Sequence, residues 1–146
     1  MKSKFVFAIL FTITTVHFSV AQEVKRDLDE NVYFVVEADI KPDQFDDFLK
    51  MAQHMSEVVV AKEPGALTYE WNISADSAKC FIIERYANSE AALGHMKLFR
   101  AEFAEKFNEI LTITGFTLYG KPGPEVLEGL GISPDAVRTK VAGFSR

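Results

Sequence analysis

The sequence predicts an α+β domain of the ferredoxin-like kind, βαββαβ, with one four-stranded sheet carrying two helices on one face. Two observations lead there. Short stretches of strand-like alternation occur at 31–40, 67–74, 79–87 and 113–119. Between the first and second, and again between the third and fourth, apolar residues recur at the three- and four-residue spacing of an amphipathic helix.

Asn31 to Ile40 (NVYFVVEADI) is rich in Val, Tyr and Phe, with Val32, Phe34, Val36, Ala38 and Ile40 on one side. Lys41-Pro42-Asp43 breaks the alternation, and Pro42 suits a first helical position, where its missing N–H costs nothing. Phe45, Phe48, Leu49, Ala52, Met55 and Val59 then mark one face of a helix, which Glu63-Pro64-Gly65 stops because proline disfavours helical geometry in its predecessor. Leu67, Tyr69, Trp71 and Ile73 alternate with polar residues in a second strand. Ala75-Asp76-Ser77 turns the chain into its hairpin partner, Lys79 to Ala87. Asn88-Ser89-Glu90 supplies a cap and an acidic first turn for a second helix through Leu93, Met96, Phe99 or Arg100, Phe103, Phe107 and Ile110, with a bend or break expected near Leu98 to Glu102. Ile113 to Tyr119 (ITGFTLY) is the fourth strand, closed by Gly120-Lys121-Pro122-Gly123-Pro124. A short helix from Glu125 to Leu130 and a weakly structured basic tail follow.

Neither parity of the strands is properly polar. Tyr33 and Val35 sit opposite the first strand's core set, and the third strand carries Phe81 and Ile83 against Cys80, Ile82 and Tyr86. Helices cover only one side, so the second face is expected to pack on the same surface of another copy, giving a two-fold homodimer.

The 146 residues fit one domain, and 48% apolar with 25% charged residues excludes a disordered or fibrous chain. Met1 to Ala21 has the form of a secretory signal peptide: Lys2 and Lys4, the apolar run Phe5 to Val16, then Ser19-Val20-Ala21. That run is shorter than the roughly 20 residues of a membrane span. Its removal takes away two lysines and leaves 125 residues, with the formal charge moving from −5 to −7. The organisation is thus a leader at 1–21, a linker at 22–30, the domain at 31–120 and a C-terminal extension at 121–146. Export to the periplasm or the medium is expected. An acidic chain lacks the basic footprint of a nucleic-acid binder.

Within the exported part only His54, His95 and the single Cys80 are available as soft or imidazole metal ligands, without zinc or iron spacing. Glycine-rich phosphate loops and Gly-x-Ser-x-Gly elbows are missing from the sequence. His95 stands one position before the core-facing Met96, at the edge of the second helix's apolar stripe. Spacing alone favours a helix-edge histidine without chemistry over a base; His54 reads as an exposed helix position. Tyr69 and Trp71 share a strand face, as do Glu84 and Tyr86. Core packing explains the aromatics as well as a flat ligand does. Glu84 is harder to dismiss, since a carboxylate in an apolar strand must be paired, solvated by a cavity, or raised in pKa.

Glu63-Pro64-Gly65-Ala66-Leu67-Thr68-Tyr69-Glu70, then Phe81-Ile82-Ile83-Glu84-Arg85-Tyr86, then Ser89-Glu90-Ala91-Ala92-Leu93 with His95, resemble the antibiotic biosynthesis monooxygenase (ABM) family over Asn31 to Tyr119. The resemblance implies a dimeric α+β barrel, two sheets face to face with the helices outside. Members that it resembles include small oxygenases that act on quinols or anthrones without flavin or metal, haem-degrading enzymes, and an isomerase of a phosphorylated signalling molecule. The haem branch uses a strand-one asparagine, a tryptophan ending strand three and a histidine late in helix two. Here the first strand has no asparagine after Asn31, position 86 is tyrosine, and Phe103 to Phe107 contains no histidine. The phosphorylated substrate would need a basic pocket, and no Lys or Arg cluster faces the expected cavity. The resemblance therefore implies a cofactor-independent monooxygenase acting on a small aromatic molecule and O2. His95 is its expected base, with Glu84, Tyr86 and Tyr69 orienting substrate and Trp71, Phe99 and Phe103 as apolar walls. The alternative is a non-enzymatic exported dimeric module that binds a small apolar ligand in the same cavity.

Overall fold

The computed structural model describes residues 30–143. The leader at 1–21, nearly all of the linker and residues 144–146 lie outside them. The elements run β1 (Val32–Ile40), α1 (Phe45–Lys62), β2 (Ala66–Ile73), β3 (Lys79–Tyr86), α2 (Ser89–Glu102), α3 (Ala104–Ile110), β4 (Leu111–Gly120) and α4 (Pro124–Leu130). Sheet order is β2-β3-β1-β4, with each neighbouring pair antiparallel, which is the ferredoxin-like arrangement.

The alternation in β1 decides which face the helices cover. Val32, Phe34, Val36 and Ala38 are buried, and register places Tyr86, Glu84, Ile82 and Cys80 of β3 beside them. One part of the core joins Val36, Ile82 and Leu111 to Phe48, Met51 and Met55 of α1 and to Phe107 and Ile110 of α3. The other joins Val32, Phe34, Tyr86 and Leu118 to Ala92 and Met96 of α2 and Val126 of α4.

Two helix boundaries differ from expectation. Pro42 does not open α1: Asp43 adopts φ 62, a left-handed conformation that no right-handed helix includes, and Gln44 N–H closes the turn onto the Lys41 carbonyl at 3.1 Å. The helix therefore begins at Phe45, with Asp46 and Asp47 in the first turn, where negative charge suits the dipole. Leu49, counted on its apolar face, is 47% exposed, because the buried stripe follows Phe48, Met51, Ala52, Met55 and Val59. The expected second helix breaks one residue later than the expected stretch, at the buried Phe103. Asn88 caps α2 as expected, accepting a hydrogen bond from Ala91 N–H at 3.0 Å.

The C-terminal extension is more ordered than its composition implies. Arg138 forms a parallel bridge with Tyr119: the Arg138 N–H donates to the Leu118 carbonyl at 2.8 Å, and the Arg138 carbonyl accepts from Gly120 N–H at 3.0 Å. Those bonds occupy part of the free edge of β4. Gly120 holds the crossing open: at φ +94 a Cβ would stand 2.0 Å from the Asn31 carbonyl oxygen, so only glycine fits. Gly123 N–H donates to Ser89 Oγ at 2.7 Å, fixing the start of α4 against the start of α2.

Candidate functional site

Two adjacent β3 residues of one parity, Glu84 and Tyr86, point from the sheet toward α2, where His95 meets them. The Tyr86 hydroxyl donates to Glu84 Oε2 at 2.6 Å, and His95 Nε2 lies 3.6 Å from the same oxygen. His95 and Glu84 are each only 5% exposed. On the other side of the imidazole, Nδ1 stands 3.1 Å from both carboxylate oxygens of Glu63, at the end of α1. The histidine is thus held between two acids on opposite ring edges, so the three cannot close on one ion; among the described residues no set of three His, Cys, Asp or Glu is placed to hold a metal. Tyr69, beside Glu84 in the β2–β3 register, brings its ring to 5.6 Å from the imidazole, and Tyr86 to 5.2 Å.

Burial and charge act together here. Desolvation alone would lower the His95 pKa, but the Glu63 hydrogen bond and the charges of Glu84 and Glu63 outweigh it, so the imidazole is raised above its ordinary value. Burial raises Glu84 well above the usual carboxylate range, against the opposing effects of His95 and the Tyr86 hydrogen bond. The Tyr69 and Tyr86 phenols are pushed up, chiefly by burial and then by the charge of Glu84, and remain neutral donors. Burial also pushes the Cys80 thiol up to about 12, which leaves it a core side chain and no nucleophile.

A cavity of about 220 Å³ opens between the sheet and the helices, against this cluster. Glu84, His95 and Tyr69 provide its polar end; Phe34, Ile82, Phe99 and Phe107 are among its apolar walls. Exposed Ile113 and Phe116 mark its open side. Arg100 and Leu130 also border it, and the Arg100 guanidinium donates to the Gly129 carbonyl in α4. The volume and lining suit one small, flat, largely apolar molecule with a polar group at one end.

Residues 31–98 match the family model described as antibiotic biosynthesis monooxygenase, ABM, and that stretch contains the whole Glu63, Tyr69, Glu84, Tyr86 and His95 cluster. This segment is similar to the ABM family over its whole length. Solved structures share its architecture. MupZ from Pseudomonas fluorescens superposes with a TM-score of 0.63 at 19% identity, covering 80% of this chain and 95% of that one. A conserved protein from Methanosarcina mazei Go1 gives 0.58 at 17%, covering 65% and 96%. A candidate antibiotic biosynthesis monooxygenase from Bacteroides thetaiotaomicron VPI-5482 gives 0.55 at 17%, covering 66% and 92%. At these identities the likeness is one of fold. No curated protein matches the sequence at a significant level.

Of the site residues expected from sequence, the fold brings His95, Glu84, Tyr69 and Phe99 to the cavity, with Tyr86 directly behind Glu84. Trp71 stands beside Tyr69 on β2, its ring edge-on to Tyr69 at 5.9 Å and to Phe48 at 6.0 Å, and is not among the lining residues. Phe103 is likewise outside the lining and meets His54 at 5.8 Å. Glu63 was legible only as a helix stop. Its position held a clue all the same: a carboxylate at a helix C-terminus opposes the dipole and needs another reason to be there. Arg100 and Leu130 carried no such signal, since their place depends on how α4 folds back over α2.

Proposed function

We propose that the exported protein, freed of residues 1–21, is a cofactor-independent monooxygenase that oxidises an electron-rich phenol, quinol or anthrone with O2. The observation that carries this reading is the buried His95, held between Glu63 and Glu84 at the polar end of an aromatic-walled cavity. The ABM match and its structural neighbours support oxygenase chemistry in general; the substrate class rests on the cavity.

His95 Nε2 takes the substrate's proton, and the ring anion left behind reduces O2 by transfer of an electron. Combination of the two radicals forms a carbon–oxygen bond. His95 returns its proton to the peroxide; loss of the C–H proton from the oxygenated carbon then breaks the O–O bond, leaving a carbonyl on the ring, and that proton with the expelled hydroxide leaves as water. The substrate supplies every electron, so the protein's work is to bind a flat ring, hold the proton and exclude water. Tyr69 donates to the substrate oxygen, Glu84 with its Tyr86 hydrogen bond fixes the polar end, and Phe99 stacks near the imidazole at 6.4 Å.

The test is oxygen uptake on a panel of quinols and anthrones, with the pH dependence measured on a substrate that stays protonated throughout. Imidazolium accepts no proton, so turnover should rise with pH and level off at a midpoint above the ordinary 6.5, the direction in which His95 is displaced. A tightly bound aromatic ligand with no oxygen uptake would replace the oxygenase with a binding module.

The same reading makes the second sheet face a homodimer contact. Tyr33, Val35, Phe81 and Ile83 share that face, where Arg85 Nε is buried without a hydrogen-bond partner among the described residues. The Lys79–Asp39 ion pair at 2.7 Å lies toward its margin. Sedimentation at micromolar concentration should give twice the mass of the exported chain; a clean monomer would remove the dimer.

A further inference from the structure

We propose that Glu63 is the positioning residue of His95, fixing which ring nitrogen faces the cavity and stabilising the imidazolium formed when that nitrogen takes a proton. The inference rests on the reading of His95 as the base and names a residue that the sequence showed only as a helix terminator.

Three features support it. First, both Glu63 oxygens face Nδ1 at 3.1 Å, so Nδ1–H donates to the carboxylate and the neutral ring keeps its lone pair on Nε2, beside Glu84 and the cavity. A carboxylate behind an imidazole is how a general base is held in one tautomer and supported as it charges. Second, the turn carrying Glu63 is tied down independently of that contact. Glu63 N–H donates to Val59, its carbonyl accepts from Ala66 N–H at 3.0 Å, and Ala87 N–H donates to the Gly65 carbonyl at 2.9 Å. A Cβ on Gly65 would fall 2.5 Å from Ala91 Cβ, so glycine lets the turn rest on α2 one helical turn before His95. Third, Glu63 lines a groove on the outside of this turn, shared with Lys62 and Lys97, and does not line the inner cavity. Its side chain is only 9% exposed, and both carboxylate oxygens are turned to the buried ring.

The groups that face His95 are Glu63 from the end of α1, Tyr69 from β2, and Glu84 and Tyr86 from β3, with Arg100 of its own helix on the same cavity. The side chains that α3, β4 and α4 add to the cavity, Phe107, Ile113, Phe116 and Leu130, are apolar. Removing the Glu63 charge should therefore be visible at the ring itself.

The experiment is an NMR titration of the ¹⁵N-labelled imidazole in resting protein, without substrate, with His54 assigned through His54→Gln. Wild type should show a neutral form protonated at Nδ1 and a midpoint above 6.5. In Glu63→Gln the midpoint should fall and the Nδ1 preference weaken. Turnover should drop roughly 10²-fold, with KM within about twofold. Glu63→Asp, which keeps the charge, should recover part of the midpoint shift and guards against a folding artefact in the glutamine variant. An unchanged midpoint and tautomer in Glu63→Gln would overturn the assignment. Because the titration needs no turnover, it is decided separately from the oxygenase reading, which fails if His95→Gln leaves oxygen uptake intact.

Discussion

His95→Gln should cost about 10²- to 10⁴-fold in turnover, the usual contribution of a positioned general base, while leaving the fold intact. Glutamine fills similar space and can still donate to Glu63, so the packing around Tyr69, Tyr86 and Phe99 is retained while the proton acceptor is lost. The loss should appear in kcat and kcat/KM alike, because the interaction matters most as the proton moves. It should also abolish the rising limb of the pH profile. The measurement is initial oxygen uptake with the best substrate of the panel, with circular dichroism to confirm folding. A variant as fast as wild type would remove His95 from the mechanism.

Phe48→Ala should destabilise the protein by about 3–5 kcal/mol, the range for deleting a fully buried aromatic ring from a core. Phe48 is 1% exposed, with Phe45 stacked on it at 6.1 Å and Trp71 edge-on. The lost ring leaves a hole that α1 cannot collapse into, because its neighbours Met51 and Met55 are already packed in the same core cluster. Urea unfolding would show a lower midpoint at unchanged slope. Phe48 also reaches the site indirectly, since Trp71 leans on it and Tyr69 leans on Trp71. A loss under about 1 kcal/mol would mean that the cavity refills, and the packing described above would need revision.

Period-two alternation and helical spacing revealed the sheet and its helices because burial acts on every second or every third and fourth residue, as in Val32, Phe34 and Val36 or Phe48, Met55 and Val59. Local backbone choices were less legible. Asp43 enters the left-handed region through its neighbours' hydrogen bonds, and a proline well suited to start a helix was left in a turn. In the site, Glu84 announced itself as a charge on an apolar strand. His95 looked ordinary because its two acids come from 32 residues before it and from the neighbouring sheet, a meeting that only the tertiary fold creates. Trp71 and Phe103 shared the right faces but stand outside the cavity's lining, Trp71 further along β2 and Phe103 beside His54, positions that facing alone cannot express.

The ABM match ends at residue 98, yet the cavity does not. The Glu63, Tyr69, Glu84, Tyr86 and His95 cluster lies before that point, with the walls Phe34 and Ile82, whereas Phe99, Arg100, Phe107, Ile113, Phe116 and Leu130, which complete the walls and form the open side, lie after it. The histidine–carboxylate cluster and the open side of the cavity therefore come from separate stretches of the chain. Exchanging the downstream stretch for that of a structural neighbour should transplant a different ligand preference onto an unaltered histidine–carboxylate cluster, and the short α4 helix, bonded to Arg100 through Gly129, is the piece to exchange first.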